Sequence, residues 1–286
     1  RFQKHKVEDI GEVKASTLSS IYQPVMDRVL ELVSSRPVPR DAKTLLSGLR
    51  DRYGGAPGSR GRQLRIQYTA QLLRFAVAEL GASDRWMPPA DLKPYVGKAG
   101  GDAGLGSATP IKDRQLVRLL EGIPDQRWAD AIRLMACFGL RPVELGYITA
   151  RGDKLHVAYS KRTSRGSTSP AAINGLDPVG LADESRDLLT RLADRTLELP
   201  PLGTSDANAA QSLRQYLNRR QVWRQLKEEA VLDGGRFSPY SFRHGFALRA
   251  HETYGLSPRV TAALMRHSLQ TPVSYTHLTL PTILLV

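Results

Sequence analysis

Ser238-Pro239-Tyr240-Ser241-Phe242-Arg243-His244-Gly245-Phe246-Ala247, read with Gly139-Leu140-Arg141-Pro142-Val143-Glu144-Leu145, decides how this chain is understood. Each stretch sets an arginine among apolar residues, where an unpaired guanidinium would be costly. One reading gives each arginine an internal carboxylate, with Glu144 the nearest candidate. The other points both at an external anion, because a guanidinium presents a planar fork of donors that fits phosphate oxygens two at a time. The two stretches lie about a hundred residues apart, so two separate elements would close on one phosphate.

Composition narrows the partner. The 286 residues are 41% hydrophobic and 24% charged, which allows one large or two medium globular domains. A formal charge of +13 favours nucleic acid or an acidic surface. The single cysteine, Cys137, sits in the apolar run Leu134–Phe138, so a core thiol is expected rather than a nucleophile, and a reducing cytoplasm fits. No signal peptide is recognisable, and no apolar run reaches the roughly 18 residues of a membrane span. The chain opens on Arg1 rather than Met, and a fragment without its natural start is expected.

Residues 1–13 read as a polar lead-in. Leu18, Ile21, Tyr22, Val25, Val29 and Leu32 recur at helical steps, with Pro24 dividing the stretch into two shorter helices. Asp41 is placed to cap a helix from Ala42 to Tyr53. After the loop 54–59 a further helix runs to about Leu80, with Arg60, Arg62 and Arg65 at its start and Arg74 beyond. These arginines read either as phosphate contacts at a helix N-terminus or as a solvated basic face. The Gly- and Pro-rich residues 84–108 read as a linker, dividing a helical domain over 1–83 from a second domain over 109–272.

In the second domain helices are expected near Asp113–Glu121 and Gln126–Phe138, the latter capped by Asp125 and ended by Gly139. Pro142 suits the first turn of the next helix, which would hold Arg141 at a short rigid junction. Asp153–Tyr159 alternates as a half-buried strand does, residues 161–166 read as its turn and Ala171–Ile173 as a return strand. Residues 181–232 read as helices broken by a loop at 200–203. Their basic stretch over Ser212–Ala230 is either a DNA-facing helix or a solvated face. Ser257 and Pro258 open a last helix. The fold class is therefore mainly α with a small β-hairpin or sheet.

Three segments together carry a family resemblance. Gly139–Leu145 resembles the first arginine box of the tyrosine recombinases, the phage-integrase family. Tyr240–Ala247 resembles their second box, His-x-Leu-Arg-His, and Leu264-Met265-Arg266-His267-Ser268 resembles their Leu-x-Gly-His-Ser segment. The resemblance implies a helical core-binding domain followed by a mixed α/β catalytic domain. It also implies attack of a tyrosine on a DNA phosphorus to leave a 3′-phosphotyrosine, without metal or nucleotide. Arg141 and Arg243 would stabilise the phosphate, with His267 as a further donor and Lys161 protonating the leaving 5′ oxygen. Alternatively Lys161, Arg162 and Arg165 would only bind backbone phosphates. The partners implied are double-stranded DNA and a homotetramer on paired sites, in the cytoplasm at the nucleoid, with a mobile-element role.

Two departures follow. Tyr240 heads the second box where the family has His or Lys; a phenol can donate to phosphate but is a poorer acid–base group near neutral pH. The family tyrosine falls nine residues after the histidine matched by His267, which here is Thr276, whereas Tyr275 comes after eight. Moreover, Val273–Thr282 resembles one reading frame of a transposon-derived sequencing-library adapter. Natural sequence is thus expected to stop near Pro272, leaving 273–286 a non-native tail in which Tyr275 imitates the nucleophile. The alternatives are a DNA-binding protein of the same fold without catalysis and a type IB topoisomerase. A metal nuclease and a basic RNA-binding helical protein follow, and the sequence offers the nuclease no compact acidic cluster.

Overall fold

The computed structural model describes residues 1–11, 13, 15–98, 108–163, 166–203 and 206–266. It divides into two compact units, Arg1–Leu105 and Gly106–Val286.

The first unit is helical. Gln23–Ser34, Ala42–Tyr53 and Arg60–Leu80 enclose a core of Val29, Leu32, Leu45, Leu46, Leu49, Ile66 and Leu73. The apolar stripe read from the sequence is buried at Tyr22, Val25, Val29 and Leu32. Two helical segments meet at Pro24, as the sequence reading expects. The proline sits in the first turn of Gln23–Ser34, directly after a wider π-helical segment at Leu18–Tyr22, and a residue that lacks an N–H is tolerated at that place. Asp41 caps the second helix, its carboxylate accepting the Thr44 N–H at 2.8 Å.

Two expectations for this unit need revision. Residues 1–10 are not a bare lead-in: Phe2 is buried, with ring centroids 5.3 Å from Phe75 and 6.1 Å from Tyr22. The stretch assigned to the linker packs in its first part, since Trp86, Leu92, Tyr95 and Val96 lie on the helical core. Pro88, Pro89 and Pro94 fall between these apolar anchors, and a composition count does not distinguish such a packed stretch from a free connection.

The second unit has the helices Asp113–Glu121, Gln126–Phe138, Glu184–Ala193, Asp206–Asn218, Gln221–Leu232, Ser241–Glu252 and Pro258–Leu264. Its core gathers Leu116, Ile132, Leu134, Phe138, Trp223, Leu226 and Phe242. Among the described residues five short strands lie between helices: β1 Ile148–Arg151, β2 Lys154–Val157, β3 Lys161–Thr163, β4 Gly166–Thr168 and β5 Ala171–Ile173. β1, β2 and β5 form an antiparallel sheet in that order, with Leu155 opposite Ile173 and Val157 opposite Ala171. Because β5 pairs directly with β2, the chain between them is an excursion from the sheet. It forms its own antiparallel hairpin, Lys161 facing Thr168 and Thr163 facing Gly166. Strand β1 is additional to the expected strands, and residues 161–166 hold strand as well as turn; with only three or four residues each, these strands are too short for an alternating pattern to show.

Two glycines allow the arginine-bearing elements to meet. Gly139 ends Gln126–Phe138 in the left-handed region at φ 61°, and a Cβ there would stand 2.7 Å from the Phe246 ring. Gly245 lets Ser241–Glu252 press against the chain at Ile111, whose carbonyl oxygen would lie 2.4 Å from an added Cβ. The Ile111 N–H in turn donates to the Ser241 carbonyl at 3.1 Å. Gly139→Ala and Gly245→Ala should each destabilise the chain by roughly 1–3 kcal/mol through overpacking, with backbone strain added at Gly139. Urea unfolding measures this, and unchanged midpoints would contradict the close approach.

Candidate functional site

Arg141 stands immediately before a 3-10 turn, Pro142–Tyr147. That turn brings Glu144 back beneath it. The Glu144 carboxylate accepts the Arg141 backbone N–H at 2.8 Å and its guanidinium at 2.6 Å. A carboxylate that is 99% buried needs such partners, and two more arginines supply them. Arg243 Nη1 lies 3.8 Å from Glu144 and Arg266 Nη1 3.1 Å, so three guanidiniums surround one carboxylate.

The remaining donors are anchored. Arg243 gives its two terminal nitrogens to the carbonyls of Gly139 and Met265. Arg266 donates to the carbonyls of Ser169, at 3.2 Å, and Tyr159. Both arginines are nearly inaccessible, with 3% and 5% of the side chain exposed, whereas Arg141 keeps 14%. Burial pushes the Arg266 guanidinium below its ordinary value, with Glu144 opposing and Arg141 adding to the shift. Among the described residues three guanidiniums meet this one carboxylate, so positive charge exceeds negative where burial limits screening by solvent. Such a surplus attracts an anion, and Arg141 is the group of the three most open to it.

Of the two readings of Arg141 and Arg243, the internal carboxylate is the one the structure displays. Both arginines meet it, as the less specific reading required, yet one carboxylate cannot neutralise them. Arg266 was not singled out. The available signal was its place in Leu264–Ser268, where the resembled segment has glycine: its φ of 54° is one that side chains seldom adopt.

The other expected site residues divide into groups. Tyr240 stands at the start of Ser241–Glu252 and is 43% exposed. Lys161 opens β3 and Arg162 follows it, described only in their backbone. Arg165, His267 and Tyr275 lie outside the described residues. In the first unit Arg65 donates to the Tyr53 and Gly54 carbonyls at 2.8 and 3.0 Å, which closes the end of Ala42–Tyr53. Arg62 donates to the Gly55 carbonyl, and Arg60 bonds Gln63 at 2.7 Å. Arg62 and Arg65 therefore have a local structural use in holding the start of the loop that precedes their own helix, whereas the Arg60 bond stays within that helix. Cys137 is buried with its thiol pushed up by that burial, as a core residue would be. Among the described residues no group of three His, Cys, Asp or Glu could hold a metal, and no helix is long and apolar enough to cross a membrane.

His244, next to Arg243, supplies a pH test. Burial first, and then the Arg243 charge, push its imidazole down to about 4 from 6.5. Between these values the unfolded chain binds a proton that the folded chain refuses, so stability falls as pH drops from 6.5 towards 4. The loss is on the order of 3 kcal/mol. In His244→Gln this contribution is removed, and the difference in stability between the two proteins should narrow on acidification. A difference constant from pH 7 to 4.5 would contradict the buried neutral imidazole.

No family model matches the chain, and no curated protein does. Solved structures do. A lambda integrase dimer bound to a COC' core site superposes with a TM-score of 0.64 at 14% identity, over 96% of this chain and 92% of that one. The Tn1549 transposon integrase in complex with transposon right-end DNA gives 0.63 at 15%, over 96% and 92%. A lambda integrase tetramer bound to a Holliday junction gives 0.63 at 15%, over 96% and 75%. At these identities the likeness is one of fold, and it spans both units. This chain has the fold of the tyrosine-recombinase integrases.

Proposed function

We propose that the chain is a site-specific DNA recombinase that cuts and rejoins DNA through a 3′-phosphotyrosine. The observation that carries the proposal is the cluster of Arg141, Arg243 and Arg266 on the single carboxylate of Glu144. It lies in a fold that lambda and Tn1549 integrases also have, and those proteins were captured on DNA. The surplus positive charge meets the need of phosphoryl transfer to stabilise charge on the non-bridging oxygens. Arg141 is the direct donor in this scheme. Arg243, with its terminal nitrogens on Gly139 and Met265, acts chiefly through its charge and by fixing those two segments.

The step balances without a cofactor. A tyrosine oxygen attacks the phosphorus and forms the O–P bond while the bond to the 5′ oxygen breaks. The phenol's proton passes to His267, and Lys161 protonates the departing 5′ oxygen. Religation runs the same exchange in reverse, so the phosphodiester energy is conserved in the tyrosyl ester. The mobile-element role, the homotetramer on paired sites and the DNA-binding roles of Arg60, Arg62, Arg65, Arg162 and Arg165 belong to the same proposal.

A second reading is a DNA-binding module of the same fold without strand transfer. Thr276 favours it, standing where the resembled family has its tyrosine. Incubating the chain with nicked duplexes from the ends of its own element separates the two readings. A covalent band on a denaturing gel is expected from the chain or from Thr276→Tyr, which sets a tyrosine nine residues after His267, with Arg141→Ala and Arg243→Ala each slowing its appearance by about 10² to 10³. Loss of the band in Tyr275→Phe identifies the nucleophile; its persistence assigns the bond to another tyrosine. Tight DNA binding with no adduct from any duplex favours the binding module.

A further inference from the structure

Arg266 has a set of partners that none of the assigned roles requires. Its Nη1 meets Glu144 at 3.1 Å, its Nε meets the Ser169 carbonyl at 3.2 Å, and its Nη2 meets the Tyr159 carbonyl. Tyr159 and Ser169 are not scattered contacts. One precedes β3 and the other follows β4, so together they are the two feet of the hairpin whose first strand begins at Lys161. A single planar fork therefore spans both feet and ties them to the buried carboxylate that also holds Arg141. The guanidinium is rigid, so its three directions are fixed relative to one another.

The surroundings make this contact consequential. β3 and β4 pair with each other and not with the three-stranded sheet. The hairpin leaves that sheet between Val157 and Ala171, so its direction depends on what holds its feet. Arg266 is nearly inaccessible and keeps a left-handed backbone that a non-glycine residue rarely adopts. The residue after it is His267. One side chain thus joins the hairpin, the Arg141–Glu144 turn and the segment leading into His267.

We infer that Arg266 is a positioning residue: it clamps the β3–β4 hairpin against Glu144 and so sets where Lys161 stands relative to Arg141. The catalytic part of this inference rests on the strand-transfer reading above; the clamp itself does not. Without the fork the hairpin would swing on its feet, and Lys161 would reach the leaving oxygen in only a fraction of encounters. Small displacements of that kind are costly to rate.

Two variants test it. Arg266→Gly suits the left-handed backbone, so folding is expected to survive. Arg266→Lys keeps the charge but offers a single nitrogen in place of the fork. In the DNA-free chain, amide hydrogen exchange in β3 and β4 should accelerate at least about tenfold in both variants, with Gln126–Phe138 unchanged. Unaltered exchange in the hairpin overturns the clamp, and so does a lysine variant that behaves as wild type, since charge alone would then suffice.

The catalytic arm uses DNA with sulfur at the bridging 5′ position, because a thiolate leaves without being protonated. Adduct formation by Arg266→Gly should be slowed on ordinary DNA and largely restored on the sulfur substrate. Lys161→Ala should behave alike, and Arg141→Ala should remain slow on both. Equal loss on the two substrates would overturn positioning of Lys161, placing the effect of Arg266 at the phosphate instead. If neither the wild-type chain nor Thr276→Tyr forms an adduct on either DNA, the strand-transfer reading is refuted, and hydrogen exchange then decides the clamp alone.

Discussion

The second unit depends on one buried carboxylate. Glu144 takes the backbone and guanidinium of Arg141, the guanidinium of Arg266 and, at longer range, that of Arg243. Its partners come from three distant parts of the chain: the turn after Gln126–Phe138, the helix Ser241–Glu252 and the residues after Pro258–Leu264. Removing a buried charge's partners one at a time is expensive, so these elements hold one another in register. The carboxylate is what allows three like charges to share a small volume.

That arrangement also explains why the site retains charge. Elsewhere in the unit, buried arginines are matched more fully. Arg249 meets Asp113 through paired bonds at 2.8 and 2.9 Å and donates to the Ala136 and Leu176 carbonyls. The half-buried Arg133 and Arg191 share Asp130, and each meets a further carboxylate, Glu184 and Asp187 respectively. The cluster at Glu144 is not balanced. Arg266 has a structural use there, since it ties the Tyr159 and Ser169 carbonyls to Glu144, and Arg141 is the most exposed of the three.

Much of this was legible in the sequence where local chemistry decides the outcome. The caps at Asp41, Asp125 and Ser257 and the left-handed Gly139 marked helix ends because capping depends on a few adjacent residues. Arg141 and Arg243 were conspicuous as charges among apolar neighbours. What stayed hidden depends on contacts far apart in sequence. Trp86, Leu92, Tyr95 and Val96 looked like linker because nothing local showed the core they cover. The meeting of Arg266 with Tyr159 and Ser169 spans about a hundred residues and needs the hairpin to be in place first. That Arg62 and Arg65 also brace the loop before their helix stayed hidden, because a sequence cannot show that carbonyls at 53–55 lie within their reach.

The claim at the centre of this account is that the surplus charge around Glu144 recognises a DNA phosphate through Arg141. The salt dependence of duplex affinity tests it most directly, measured for the wild type and for Arg141→Ala. Loss of one phosphate contact should weaken binding evenly across sequences and make the slope of log K against log salt shallower by about 0.9. A variant with the affinity and slope of the wild type would contradict the account, leaving the three arginines a purely internal brace.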